Sequence, residues 1–135
     1  MIRIGDSEVT DIHSKTLFLI EDDVDLRESL RDLLETEGYA VKQASDGADA
    51  LEKLKLLTHM PELILLDWMM PRMDGEQFCE AKKEFPQIDA IPILLLTADG
   101  RLGEKVHQIG AAMGVAKPVD VDVLLGAIER LVQPD

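Results

Sequence analysis

Two rhythms of apolar and polar positions run along the chain. Leu17-Phe18-Leu19-Ile20, Leu63-Ile64-Leu65-Leu66 and residues 91–96 are short apolar runs without polar alternation, the pattern of strands covered on both faces. Residues 39–44 and the pair Val115-Ala116 are weaker strand candidates. Between these runs the apolar positions fall at helical spacing: Leu26, Leu30, Leu33 and Leu34; Ala50, Leu51 and Leu54; Phe78, Ala81 and Phe85; Leu102, Val106 and Ile109; Val121, Leu124, Leu125, Ile128 and Leu131. Asp25, Asp46, Asp74 and Asp120 stand where side chains would accept the free amides of a first helical turn. Gly38 and Gly110 stand where helices would end. Strand and helix therefore alternate five times. Parallel strands need such long crossovers, so the expected fold is one α/β domain, a doubly wound parallel sheet with helices on both faces.

Composition narrows the partners more than the fold. The chain has 135 residues, 27 of them acidic against 14 basic, for a net charge of −13. That charge repels a phosphate backbone and an anionic membrane alike, so neither nucleic acid nor a membrane is an expected partner. The one cysteine, Cys79, has no internal partner for a disulfide, which points to a reducing compartment, the cytoplasm. Residues 1–15 contain no apolar stretch long enough for a signal peptide; they read as an N-terminal extension ahead of a domain spanning residues 16–135. His13, His59 and His107 lie in separate segments without metal-ligand spacing and are assigned no site.

In an open parallel sheet the site lies outside the carboxyl ends of the strands. The residues that end each run are Glu21-Asp22-Asp23, Asp67, Thr97 and Lys117, which is followed by Pro118. Crowded carboxylates either keep a proton or bind a cation, and an all-oxygen set of two or three suits Mg²⁺ beside a phosphate. A lysine supplies a second positive charge, a threonine one hydrogen bond, and an aspartate there can itself be the nucleophile. The chemistry expected is a Mg²⁺-assisted phosphoryl site with an acceptor aspartate.

These residues resemble the receiver domains of two-component response regulators over most of the chain, from about Thr16 to Val132. The resemblance rests on Glu21-Asp22-Asp23, Leu65-Leu66-Asp67-Trp68-Met69-Met70-Pro71, Met73-Asp74-Gly75, Leu96-Thr97-Ala98 and Lys117-Pro118, together with their spacing. It implies a flavodoxin-like (βα)5 sheet with strand order 2-1-3-4-5. It further implies that Asp67 accepts a phosphoryl group from a sensor histidine kinase or a phosphotransfer protein. Asp22, Asp23, Asp67 and the backbone carbonyl of Met69 would hold Mg²⁺. Thr97 and Lys117 would contact the phosphoryl group, and the Lys117–Pro118 peptide would be cis. Beyond slow hydrolysis of its own aspartyl phosphate, such a domain is a switch and not a metabolic enzyme. Output would pass to a downstream protein through the fourth helix, fifth strand and fifth helix, with a homodimer left open.

Two positions depart from the pattern. Many receivers carry Tyr or Phe three residues before the lysine, where this chain has Gly114; and the stretch from Thr97 to Lys117 is slightly short. Trp68 and Asp99 flank the chemistry. The chain ends at Asp135, just after the last predicted helix, so the expected output is protein contact, by a single-domain regulator, a phosphorelay carrier or a receiver of a longer protein. Gly114 motivates one alternative, a binding module that keeps the fold without switching. A metal-dependent phosphatase or nuclease would place Asp-x-Asp at a strand end, but Met69 stands two residues after Asp67. A flavodoxin would need a phosphate loop where Glu21-Asp22-Asp23 would repel phosphate.

Overall fold

A computed structural model describes residues 15–98 and 100–132. Most of the proposed extension, residues 1–14, lies outside the described residues, as does Asp99. The apolar runs form five strands: β1 (Thr16–Ile20), β2 (Ala40–Ala44), β3 (Leu63–Asp67), β4 (Ile93–Thr97) and β5 (Met113–Ala116). All pairings are parallel, and the spatial order is β2-β1-β3-β4-β5. Every residue of β3 and β4 is buried, which explains their unbroken apolar runs. On the edge strand β2 only Ala44 is buried, hence its weaker signal.

The crossovers are α1 (Val24–Thr36), α2 (Gly47–Lys55), α3 (Gly75–Ala81), α4 (Leu102–Ile109) and α5 (Val121–Leu131). Successive strand residues point to opposite faces, so the sheet divides two cores. Phe18, Ile20, Ile64, Leu66, Ile93 and Leu95 pack with α2 and α3, with Leu102, Val106 and Ile109 of α4 against them. Leu17, Leu19, Leu63, Leu65, Leu94 and Leu96 pack with α1 and α5.

Three local expectations are corrected. The first helix is capped by Asp23, whose side chain accepts the Leu26 amide, and Asp25 lies within the first turn. Phe85 does not continue the third helix: after Ala81 the chain makes a 3₁₀ turn (Lys82–Glu84), extends at Phe85 and re-enters a one-turn helix, Pro86–Asp89. Proline disfavours the helical region for the residue before it, so Pro86 sets this break. In the sequence Glu80, Lys82, Lys83 and Glu84 read as a solvated helix face, but Lys82 is buried and paired with Asp89 at 2.7 Å. The caps at Asp46, Asp74 and Asp120 form as expected, Asp74 with a full capping box to Gln77. Gly38 and Gly110 follow or cap their helices with positive φ.

Gly114 lies on β5 directly beneath α4. A Cβ there would meet Val106 Cγ2 at 2.6 Å and Leu102 Cδ1 at 2.7 Å. The helix packs directly on this bare position. Gly114→Ala is therefore expected to overpack this contact and cost about 1–3 kcal/mol, read by urea denaturation; an unchanged midpoint would mean that α4 yields freely.

Candidate functional site

The carboxyl ends of β1, β3, β4 and β5 lie at one edge. Glu21 directly follows β1, its N–H donating to the Ala44 carbonyl at 3.1 Å. Its side chain is buried: Oε2 accepts the Asp23 amide at 3.1 Å and Oε1 accepts from Lys117 Nζ at 3.0 Å. The Glu21 carbonyl accepts from Arg27 Nη1 at 2.7 Å, which fixes the turn from β1 into α1. Asp67, the last residue of β3, is also buried, and its Oδ1 accepts from Lys117 Nζ at 3.0 Å. Lys117 follows β5; its own N–H donates to the Thr97 carbonyl at 2.9 Å, and its peptide to Pro118 is cis. Thr97 is buried at the end of β4.

One carboxylate oxygen each from Glu21, Asp22 and Asp67 lie within 4.8 Å of one another, with Asp22 exposed and the other two buried. Burial pushes the Asp67 carboxyl up from 3.8 to about 7; the Glu21 charge adds to this and Lys117 opposes it. Burial works against the Lys117 ammonium, but hydrogen bonds and charges from Glu21 and Asp67 outweigh it and raise its pKa. The site thus holds more negative charge than one ammonium offsets. Its donors are all oxygen, the set a hard divalent cation prefers. The residues present fit Mg²⁺.

Asp23 stands outside this cluster. The expected acidic pair was Asp22 and Asp23, but Asp23 Oδ1 accepts the Leu26 amide at 3.1 Å as the helix cap, and Glu21 takes the inner place. The signal was available: the capping residue immediately precedes the first helical one, and β1 ends at Ile20. The loop after Asp67 folds back tightly. Trp68 donates its N–H to the Leu96 carbonyl at 3.1 Å and accepts from the Gly75 amide at 3.0 Å. A Cβ on Gly75 would meet the Asp67 carbonyl oxygen at 2.9 Å, so only glycine lets α3 start so close to Asp67. Met69 lies in this loop with its side chain exposed.

Two side chains that the sequence did not flag join the site's surroundings. Lys105 of α4 is buried, with Nζ 5.1 Å from the centre of the Trp68 ring. Arg72, next to Pro71, pairs with Asp46. Neither belongs to a local motif; both depend on how loops meet helices. Gly114 is set back from the acids, under α4. Cys79 is buried in the core with its thiol pushed up to about 11, chiefly by burial, as suits a structural side chain. No helix among the described residues is long and apolar enough to cross a membrane.

Comparison with known proteins agrees with this geometry. Residues 17–129 match the family model described as the response regulator receiver domain. Response regulator Rre1 of Synechocystis sp. is 33% identical over 119 residues, 86% of this chain and 51% of the relative. The hybrid signal transduction histidine kinase D of Dictyostelium discoideum is 38% identical over 123 residues, 89% of this chain but 8% of the relative. The chain thus spans about half the length of the regulator and a small part of the kinase. Among solved structures, the chemotaxis response regulator CheY4 of Vibrio cholerae superposes with a TM-score of 0.79 at 28% identity, over 87% of this chain and 98% of that one. The signal receiver domain of a histidine kinase from Syntrophus aciditrophicus gives 0.78 at 32%, over 88% and 90%. The match over residues 17–129 and the superposition of the five-stranded parallel sheet on solved receivers place the chain among the response regulator receiver domains.

Proposed function

We propose that Asp67 accepts a phosphoryl group from the phosphohistidine of a sensor kinase or phosphotransfer protein, and that the chain signals by the conformational change that follows. The observation that carries this reading is the bridge of Lys117 Nζ between Glu21 and Asp67, 3.0 Å from each. A single ammonium held by two buried carboxylates is placed to follow whichever oxygen gains charge. Asp67 attacks phosphorus, the P–N bond breaks, and its electron pair stays on the imidazole nitrogen; the product is a mixed anhydride on Asp67. Lys117 then pairs with a phosphoryl oxygen and Thr97 donates a hydrogen bond to another. Glu21, Asp22, Asp67 and the Met69 carbonyl would hold Mg²⁺, which when bound offsets the charge of the phosphoryl oxygens. Water later hydrolyses the anhydride, so the chain is a timed switch and not a metabolic enzyme.

The role belongs in the cytoplasm, with a downstream protein as the target. Output leaves through α4, β5 and α5. Gly114 favours a second reading, a receiver that no longer switches, because Leu102 and Val106 fill the space of the usual ring. One experiment separates the two. Trp68, the one tryptophan, is followed by fluorescence as Mg²⁺ and then acetyl phosphate are added, with intact mass measured in parallel. A Mg²⁺ response followed by a phosphoryl adduct and a further fluorescence change supports the switching acceptor; a Mg²⁺ response with no adduct even with a competent kinase, or an adduct with no further change, supports the module.

The corrected acidic pair makes its own prediction. Asp22→Asn is expected to weaken Mg²⁺ binding roughly tenfold or more, because affinity follows ligand charge. Asp23→Ser keeps a helix cap and is expected to leave affinity within about twofold. Titration calorimetry on both variants checks the assignment.

A further inference from the structure

The loop between Asp67 and α3 is strapped to a helix that contributes nothing to the acidic cluster. Arg72 sits in that loop with φ 62, a backbone state disfavoured for any residue with a Cβ. Its guanidinium forks onto Asp46, Nε to Oδ2 at 2.7 Å and Nη2 to Oδ1 at 3.0 Å. Asp46 is only 5% exposed and is itself tied down, since Oδ1 also accepts the Asp49 amide at 2.9 Å as the cap of α2. One residue on, the Gly47 amide donates to the Met73 carbonyl at 3.0 Å. A Cβ on Gly47 would meet the same oxygen at 2.8 Å. The loop is therefore pinned at Trp68 by Gly75, and at Arg72 and Met73 by the start of α2. Met69 lies between those pins.

A glycine at position 72 would adopt the positive φ without help. The chain instead carries an arginine, in a disfavoured conformation, whose side chain makes a planar two-bond contact that lysine cannot reproduce. We propose that the Arg72–Asp46 fork is a positioning device for the cation site: it holds the 68–74 loop so that the Met69 carbonyl keeps its distance from the Asp67 carboxylate, and so sets Mg²⁺ affinity. This rests on the reading that the acidic cluster takes Mg²⁺. Arg72 touches neither the cation nor the phosphoryl group in this scheme; it acts through the loop.

The test uses the full chain, with Mg²⁺ affinity by calorimetry and Trp68 fluorescence, thermal denaturation, and hydrogen exchange at the Gly47 and Gly75 amides. Arg72→Ala keeps the unfavourable backbone and loses the fork; Arg72→Gly relieves the backbone and loses the fork. Asp46→Asn keeps the helix cap and removes the charge. All three are expected to weaken Mg²⁺ binding by about 5–10-fold, at a temperature well below unfolding, with faster exchange at both amides. A role in stability alone would lower the melting temperature and leave affinity unchanged, overturning the proposal. So would Arg72→Gly binding as tightly as wild type, which would make the conformation matter and not the fork. A wild-type chain that does not bind Mg²⁺ overturns the reading of the cluster, and with it any role for the fork in cation affinity, whereas normal wild-type binding with unaffected variants overturns the fork alone.

Discussion

Replacing Asp67 with asparagine is expected to abolish the phosphoryl adduct and, in Mg²⁺-free buffer at neutral pH, to give a protein more stable than wild type. The first effect follows from chemistry, because an amide oxygen is too weak a nucleophile to form the anhydride. The second follows from charge. The Asp67 carboxyl is raised from 3.8 to about 7 by burial and by Glu21, so between those values the folded chain binds a proton that the unfolded chain has lost. Stability then falls as pH rises from about 4 to about 7, with the full cost present above that. Asparagine carries no such cost. The gap is expected to be about 1–2 kcal/mol at pH 8, less than the whole shift because Asp22 leaves one side of the cluster open to water. It should vanish near pH 4. Lys117 does not confuse the reading: its raised pKa adds stability that is complete below about 10.5 and is lost as pH rises through the raised value, outside this window. Urea denaturation of both proteins across pH gives the comparison. Adding Mg²⁺ should close the gap by stabilising wild type alone. Equal stability at pH 8 without Mg²⁺ would mean that Asp67 titrates as an ordinary carboxyl.

Lys117→Met carries the second large effect, and it acts on both rate and stability. Methionine keeps much of the apolar stem and removes the ammonium, leaving Glu21 and Asp67 facing each other without the cation now 3.0 Å from both. Removing one charge-stabilising donor from a phosphoryl site is expected to slow adduct formation by about 100-fold or more. Breaking a buried pair from one side costs about 3–5 kcal/mol when the remaining charge is trapped. Here Asp67 can take up a proton instead, so the loss is expected near the lower figure at pH 8 and smaller at pH 5. A time course with acetyl phosphate and urea denaturation at the two pH values measure these effects. A loss independent of pH would assign the destabilisation to packing of the stem.

The sequence was most legible where burial is most complete. β3 and β4 are covered on both faces and read as unbroken apolar runs, whereas β2, at the edge, shows only a partial pattern. Asp67, Thr97 and Lys117 stand out in the sequence because each ends a run. The acidic pair was placed one residue late because three adjacent carboxylates look alike in a sequence. Which of them turns inward depends on where β1 stops and α1 begins, and a cap at Asp23 instead of Asp25 decides it. Phe85 kept helical spacing with Phe78, but Pro86 broke the helix between them. The Arg72–Asp46 and Lys105–Trp68 contacts had no periodic trace at all. They join segments distant in sequence through tertiary packing, and charged residues in loops carry no mark of what they will meet.

Gly114 removes a moving part. With Leu102 and Val106 resting against bare backbone, position 114, on the route from the Thr97 end of the sheet to α4, offers no side chain to rotate between an inward and an outward state. The remaining freedom along that route belongs to the helix itself. A disturbance at the carboxyl edge that reaches α4 across β5 is then expected to tilt or slide all eight residues of Leu102–Ile109 together, a gear in place of a latch.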